Sequence, residues 1–230
     1  MCEHASSHIP DEFQDLGLSA VDQGRHIAWD PGALETAKQM AIRLDAALIH
    51  STVSRLIYDC NRPPEAEDAI PAISEETKIP GNVGLSDQDK KARLDRFYRP
   101  FARRLSQLVD ARSETVLVTI HSFTPNYRGQ ARSVEIGILH DDDTRLADAL
   151  LEVARGYNTQ RNAPYGPEDG VLHTLRLHAL PHGHLNVMIE IRNDLIATSE
   201  QCAKMAATLA DWVSAALKRV QPAAVKETSG

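Results

Sequence analysis

Residues 115–120, TVLVTI, form an apolar run with almost no polar alternation. A strand that uniform must be covered on both faces, as strands are in a parallel sheet held between helices. Residues 134–139, VEIGIL, and 186–191, NVMIEI, have the same character. Apolar residues recur at helical spacing over 31–47, 86–112, 144–156 and 199–220. In 86–112 the stripe is Leu94, Phe97, Phe101, Leu105 and Leu108. Asp30 ahead of Pro31 reads as an N-cap before a first-turn proline. Residues 47–51, ALIHS, read as a short strand, and 172–180 as an amphipathic segment of undecided type. Strands alternating with helices predict an α/β fold. The expectation is a single three-layer α/β/α domain over 1–220 with a mixed, largely parallel sheet, followed by a polar tail over 221–230. Residues 61–84, rich in proline and acids, and 158–170 read as long loops, the first a candidate lid.

Composition narrows the class. A formal charge of −7 argues against the basic face that a nucleic-acid partner needs. No run is long and apolar enough for a membrane span, and no basic-then-apolar leader opens the chain. Cys2, Cys60 and Cys202 make neither a paired framework nor a zinc-finger spacing, and such sparse usage suits a reducing cytoplasm. A soluble, cytoplasmic protein is expected, with its oligomeric state left open.

In open α/β sheets, ligands bind beyond the carboxyl ends of the strands. His121 and Ser122 end TVLVTI, and Glu190 and Arg192 end NVMIEI. In CEHAS, Glu3 and His4 read as the exit of a first strand of which only Met1 and Cys2 are present. Three strand ends thus direct Glu3, His4, His121, Glu190 and Arg192 toward one place. Two histidines and a carboxylate are a common catalytic zinc set with one position left for water. Glu190 and Arg192 share a face of their strand. Burying such a pair costs more than it usually returns. Either it is a structural ion pair, or Glu190 is a general base beside a metal. His8 and His26 are further candidates.

A second cluster is 54-SRLIYDCNRP-63. Arg55 and Arg62, with Asn61 beside them, offer planar forks that match a carboxylate, unless Asp59 and the acidic loop take them up. Arg128 and Arg132 flank Gly129 as further basic candidates. The run 141-DDDT-144 reads as a helix-start charge cluster and lacks the ligand spacing of a calcium loop.

In order along the chain stand CEHAS-SHIP, HIAWDPGA, SRLIYDCNRP, HSFTP, GILHDDDTRLADALL, NAPYGPEDGV-HTL and EIRNDLI. Together they resemble the N-formylglutamate amidohydrolase family, over nearly the whole chain from Cys2 to about Val220. That family is similar in architecture to zinc carboxypeptidases and zinc-dependent cell-wall amidases, with a phosphorylase-hydrolase-like fold. The resemblance implies zinc held by Glu3, His4 and His121, although the spacing of Glu3 and His4 is narrower than in the carboxypeptidases and His121-Ser122 reverses their Ser-His order. It implies Glu190 of the E-x-R motif as base, with Arg192 holding it or stabilising the oxyanion. It also implies a substrate carboxylate on Asn61 and Arg62, with Arg55 and Arg132 as further substrate-binding candidates. The implied reaction releases formate and L-glutamate from N-formyl-L-glutamate, a small N-acyl acidic amino acid. Two alternatives stand beside it: a zinc amidohydrolase or peptidase for another N-acyl amino acid, and a binding protein for acidic ligands without turnover.

Overall fold

A computed structural model describes residues 1–111 and 114–220. The polar tail expected at 221–230 lies outside the described residues, as does the end of the 86–112 helix. Four strands make the central sheet: β1 (Val116–Phe123), β2 (Ile136–Leu139), β3 (Thr159–Arg161) and β4 (Leu185–Arg192), in the order β1-β4-β2-β3. β1 and β4 are parallel, as are β2 and β3, whereas β2 and β4 run antiparallel. The sheet is therefore mixed, as expected.

Its two faces are covered by different helices. On one face lie α1 (Ala33–Arg43), α3 (Arg145–Val153) and α5 (Ser199–Val220). Their Met40, Leu146, Leu150, Leu209 and Val213 share a core with Ile120, Ile136, Ile138, Val187, Ile189 and Ile191. On the other face α2 (Arg99–Asp110) and α4 (His173–His178) bring Leu105, Val109 and Leu175 against Leu117, Leu139 and Met188. Strand alternation then assigns the polar residues. His121 follows Leu117 and Glu190 follows Met188 onto the second face, and the register pairs His121 directly with Glu190.

Several expectations change in detail. Residues 47–51 form no strand, only a bridge between His50 and Cys2. Through it the N-terminus joins the sheet edge. Cys2 N–H donates to the Ile49 carbonyl (3.1 Å), and Ile120 N–H donates to the Met1 carbonyl (2.9 Å). Glu3 and His4 thus stand at the end of an extended segment beside β1. The 86–112 helix is interrupted by a π turn at Leu94–Tyr98. Its extra residue rotates the stripe, so Tyr98, Leu105 and Val109 are the buried apolar side chains and Leu94, Phe97, Phe101 and Leu108 are half-buried. The loop at 158–170 contains β3, an edge strand whose sequence, TQR, offers no apolar signal. The 61–84 loop is anchored: the buried Arg93 donates to Asn82 Oδ1 (2.7 Å) and to the Gly81 carbonyl (3.1 Å). No helix among the described residues is long and apolar enough to cross a membrane.

Gly137 lies in β2 opposite Glu190, and a Cβ there would stand 2.1 Å from the Ala163 carbonyl oxygen. The backbone that carries Tyr165 packs against the sheet only because that side chain is missing. Gly137→Ala is expected to destabilise the protein by about 1–3 kcal/mol, measured as a shift in the denaturant midpoint. An unchanged midpoint would show that the 162–165 segment yields at no cost.

Candidate active site

His4, Asp30 and His121 converge at the carboxyl end of β1. The extended N-terminal segment supplies His4, the turn entering α1 supplies Asp30, and β1 supplies His121. The His4 and His121 Nδ1 atoms are 3.2 Å apart. Asp30 Oδ2 lies 2.9 Å from His121 Nδ1 and 3.3 Å from His4 Nδ1. Each ring is braced on its far side by a carboxylate. His4 Nε2 meets Asp59 Oδ1 at 2.7 Å, and His121 Nε2 meets Glu3 Oε2 at 3.0 Å. In the neutral tautomers that keep their protons on Nε2, both Nδ1 lone pairs would face the same point as the Asp30 carboxylate.

That point suits a cation. A tetrahedral ion with bonds near 2.0–2.1 Å needs donors roughly 3.3 Å apart, and the three separations fall close to that. Carboxylates behind the histidines fix their tautomer and raise their basicity, as second-layer partners of metal-bound histidines do. These three residues could therefore hold a divalent metal. Glu3, expected as a ligand, lies behind His121 at Nε2, and the carboxylate that stands between the two Nδ1 atoms is that of Asp30. The HIAWDPGA motif contains that signal, but an aspartate ahead of a proline has the composition of a helix cap. The cap position belongs to Gly32, while Asp30 accepts from Ser122 N–H (3.2 Å) and faces the histidines.

Charge in the cluster follows from the same contacts. Burial lowers the His121 pKa, but the Glu3 charge and the bonds to Asp30 and Glu3 outweigh it and hold the ring protonated well above its usual range. His4 is raised as well: burial and Arg55 push it down, and Asp59 and Asp30 overcome them. Asp30, despite burial, is held low by the two histidines.

Glu190 is different. It is 5% exposed, and its Oε2 has no hydrogen-bond partner among the described residues. Burial, reinforced by Asp30 and opposed by His121 and His4, pushes its pKa up to about 7. Arg192 does not relieve it. That guanidinium bonds Asp194 (2.8 Å) and lies 3.6 Å from Glu135. The Glu190–Arg192 ion pair, one of the two readings of E-x-R, is not formed: Arg192 stands at the end of the strand and turns to nearer carboxylates.

Glu190 and the cluster line a cavity of about 400 Å³ with Arg55, Arg62 and Tyr165. Arg55 donates to Asp59 (2.6 Å) and stands 3.8 Å from Asp30, so it braces the histidine side. Asn61 is occupied at both ends of its amide, donating to the Val171 carbonyl (2.5 Å) and accepting from Thr174 N–H (3.2 Å). It ties the loop to α4. Arg62 donates to the Gly170 carbonyl and to Asp68 (2.8 Å). Arg132 sits among Tyr127, Tyr165 and Phe123, with its guanidinium carbon 4.5, 5.0 and 5.5 Å from the ring centres. From there it donates to the Tyr165 hydroxyl (3.1 Å). Of the other candidates, His26 is on the cavity rim near Glu75, and His8 and Arg128 are exposed. Asp141 and Asp143 pair with Arg176 and Arg145.

A buried carboxylate without a partner on Oε2 among the described residues, beside a cluster that could hold a cation and on the wall of a cavity of about 400 Å³, is the kind of arrangement that activates water in hydrolases. The comparisons narrow that class. The family model for N-formylglutamate amidohydrolase matches residues 1–197. The crystal structure of a gene product of Agrobacterium tumefaciens is 52% identical, with a TM-score of 0.93, over 96% of this chain and 90% of that one. An N-formylglutamate amidohydrolase from Ralstonia eutropha shares the fold at 16% identity, with a TM-score of 0.60 over 96% of this chain and 91% of its own. No curated protein matches. The chain belongs to the N-formylglutamate amidohydrolase family, and it is an amidohydrolase.

Proposed function

We propose that the protein hydrolyses the amide bond of N-formyl-L-glutamate, releasing formate and L-glutamate, with zinc held by His4, Asp30 and His121. The observation that carries this reading is Glu190, a buried carboxylate without a partner on Oε2 among the described residues, paired in register with His121. Bound there, zinc would polarise the formyl carbonyl and make a water easier to deprotonate. Glu190 takes the proton from the attacking water and returns it to the leaving nitrogen, so the carboxylate is regenerated. Arg62 receives the substrate's α-carboxylate. Arg55 keeps Asp59 against His4. The Tyr165 oxygen accepts from Arg132, which has no acceptor of its own, so the phenol proton is free to point into the cavity at the substrate.

The test combines elemental analysis with formate release from N-formyl-L-glutamate before and after chelation. About one zinc per chain and turnover lost on chelation are expected. Metal-free protein with undiminished turnover would overturn the metal assignment. A specific observation favours a second reading. Both Arg55 and Arg62, which line the cavity, already contact carboxylates of the chain. That arrangement leaves little cationic surface for a second substrate carboxylate. It favours an N-acyl amino acid with an uncharged side chain, and formate release from N-formyl-L-glutamine exceeding that from the glutamate compound would establish it.

A further inference from the structure

The Arg62–Asp68 contact has a chemistry of its own. A guanidinium binds a carboxylate bidentately along an edge that presents two N–H groups. In Arg62, Nη1 donates to the Gly170 carbonyl and Nε meets Asp68 Oδ2 at 2.8 Å. The side edge, formed by Nε and Nη2, therefore has its Nε donor engaged by Asp68, while the Gly170 carbonyl engages Nη1 outside that edge. The Gly170 carbonyl is backbone and stays. The Asp68 side chain is 59% exposed and free to rotate outward. It is nonetheless carried at a fixed place: its short turn is pinned by the hydrogen bond from Asp59 N–H to the Ala69 carbonyl (2.8 Å). Both Asp68 and Arg62 line the cavity.

We infer that Asp68 is an internal stand-in for the substrate carboxylate: it occupies the Nε edge of Arg62 and must give way when a carboxylate ligand binds. This rests on Arg62 as the carboxylate anchor. Asp68 keeps the guanidinium extended into the cavity, and it sets the affinity by competing for the same edge. It also places a negative charge beside any second carboxylate on the ligand.

The experiment is calorimetric titration of the purified protein with glutarate, a carboxylate probe without an amide to cleave. Asp68→Asn keeps the side-chain volume but removes the competing charge. It is expected to lower the glutarate Kd about two- to fivefold, the range of an exposed ion pair. Glu75→Gln removes the same charge from the cavity rim, where Glu75 stands 3.5 Å from Arg25 and His26 and does not touch Arg62. It is expected to change Kd by less. Equal tightening in the two variants would reduce Asp68 to a contributor to the general field and overturn the inference. So would an unchanged or raised Kd in Asp68→Asn with an unchanged thermal midpoint. Arg62→Leu separates the two levels: glutarate binding lost there, with Asp68→Asn inert, sinks only the stand-in role. Binding retained in Arg62→Leu sinks the anchor together with it.

Discussion

Glu190→Gln is expected to lower kcat by about 10²- to 10⁴-fold, the usual contribution of a positioned general base. KM should change little, because the proposed anchor for the substrate's carboxylate is Arg62, a different lining residue of the cavity. Folding should survive. Burial already disfavours the charged carboxylate, raising its pKa to about 7, and a neutral amide of the same shape avoids that cost. The pH profile adds a check with a definite sign. A base must be ionised to act, so kcat/KM should rise with pH through the Glu190 pKa. A bound cation stabilises the carboxylate, so this acid limb should fall at or below about 7, and it should disappear in Glu190→Gln. A variant that keeps most of its turnover, with the acid limb intact, would show that another group takes the proton.

Much of this is readable in the sequence, for a physical reason. Apolar runs such as 186–191 can be buried only in a covered sheet, and strand ends in such sheets face the ligand. His121 and Glu190 can therefore be placed together from the chain alone. Residues with two chemically sensible uses are harder. Asp30 before Pro31 has the composition of a helix cap, and only the fold shows its carboxylate turned toward two imidazoles. Glu3 and Asp30 are both carboxylates beside His121; which one faces the cation site depends on which ring nitrogen each meets, and spacing along the chain carries no such information. Arg192 shares a strand face with Glu190, but at the strand end its long side chain reaches Asp194 and Glu135 instead. Arg55 and Arg62 are open to pairing with acids of the chain, and they do pair with Asp59 and Asp68. The edge strand β3 is invisible because exposed edges need no apolar residues.

Asp30→Asn should abolish metal retention, whereas Glu3→Gln should only weaken it. The two carboxylates occupy different layers around the same ring. Asp30 Oδ2 lies 2.9 Å from His121 Nδ1, on the side shared with His4 Nδ1, while Glu3 meets the opposite nitrogen at 3.0 Å. The side-chain amide introduced by Asp30→Asn can still accept from Ser122 N–H, so the turn is preserved, but a neutral amide is a poor partner for zinc. Loss of a carboxylate behind a metal-bound histidine typically reduces affinity by about 10- to 100-fold. After dialysis against a weak chelator, elemental analysis should therefore find metal near zero in Asp30→Asn and partial occupancy in Glu3→Gln. Lower pH should weaken retention in the native protein as well. Its carboxylates favour protonated His4 and His121 in the metal-free site, and a metal can bind Nδ1 only by displacing those protons. The reverse pattern, metal kept by Asp30→Asn and lost from Glu3→Gln, would return the ligand set to Glu3, His4 and His121. It would require His121 to turn over in its socket, exchanging the partners of its two nitrogens.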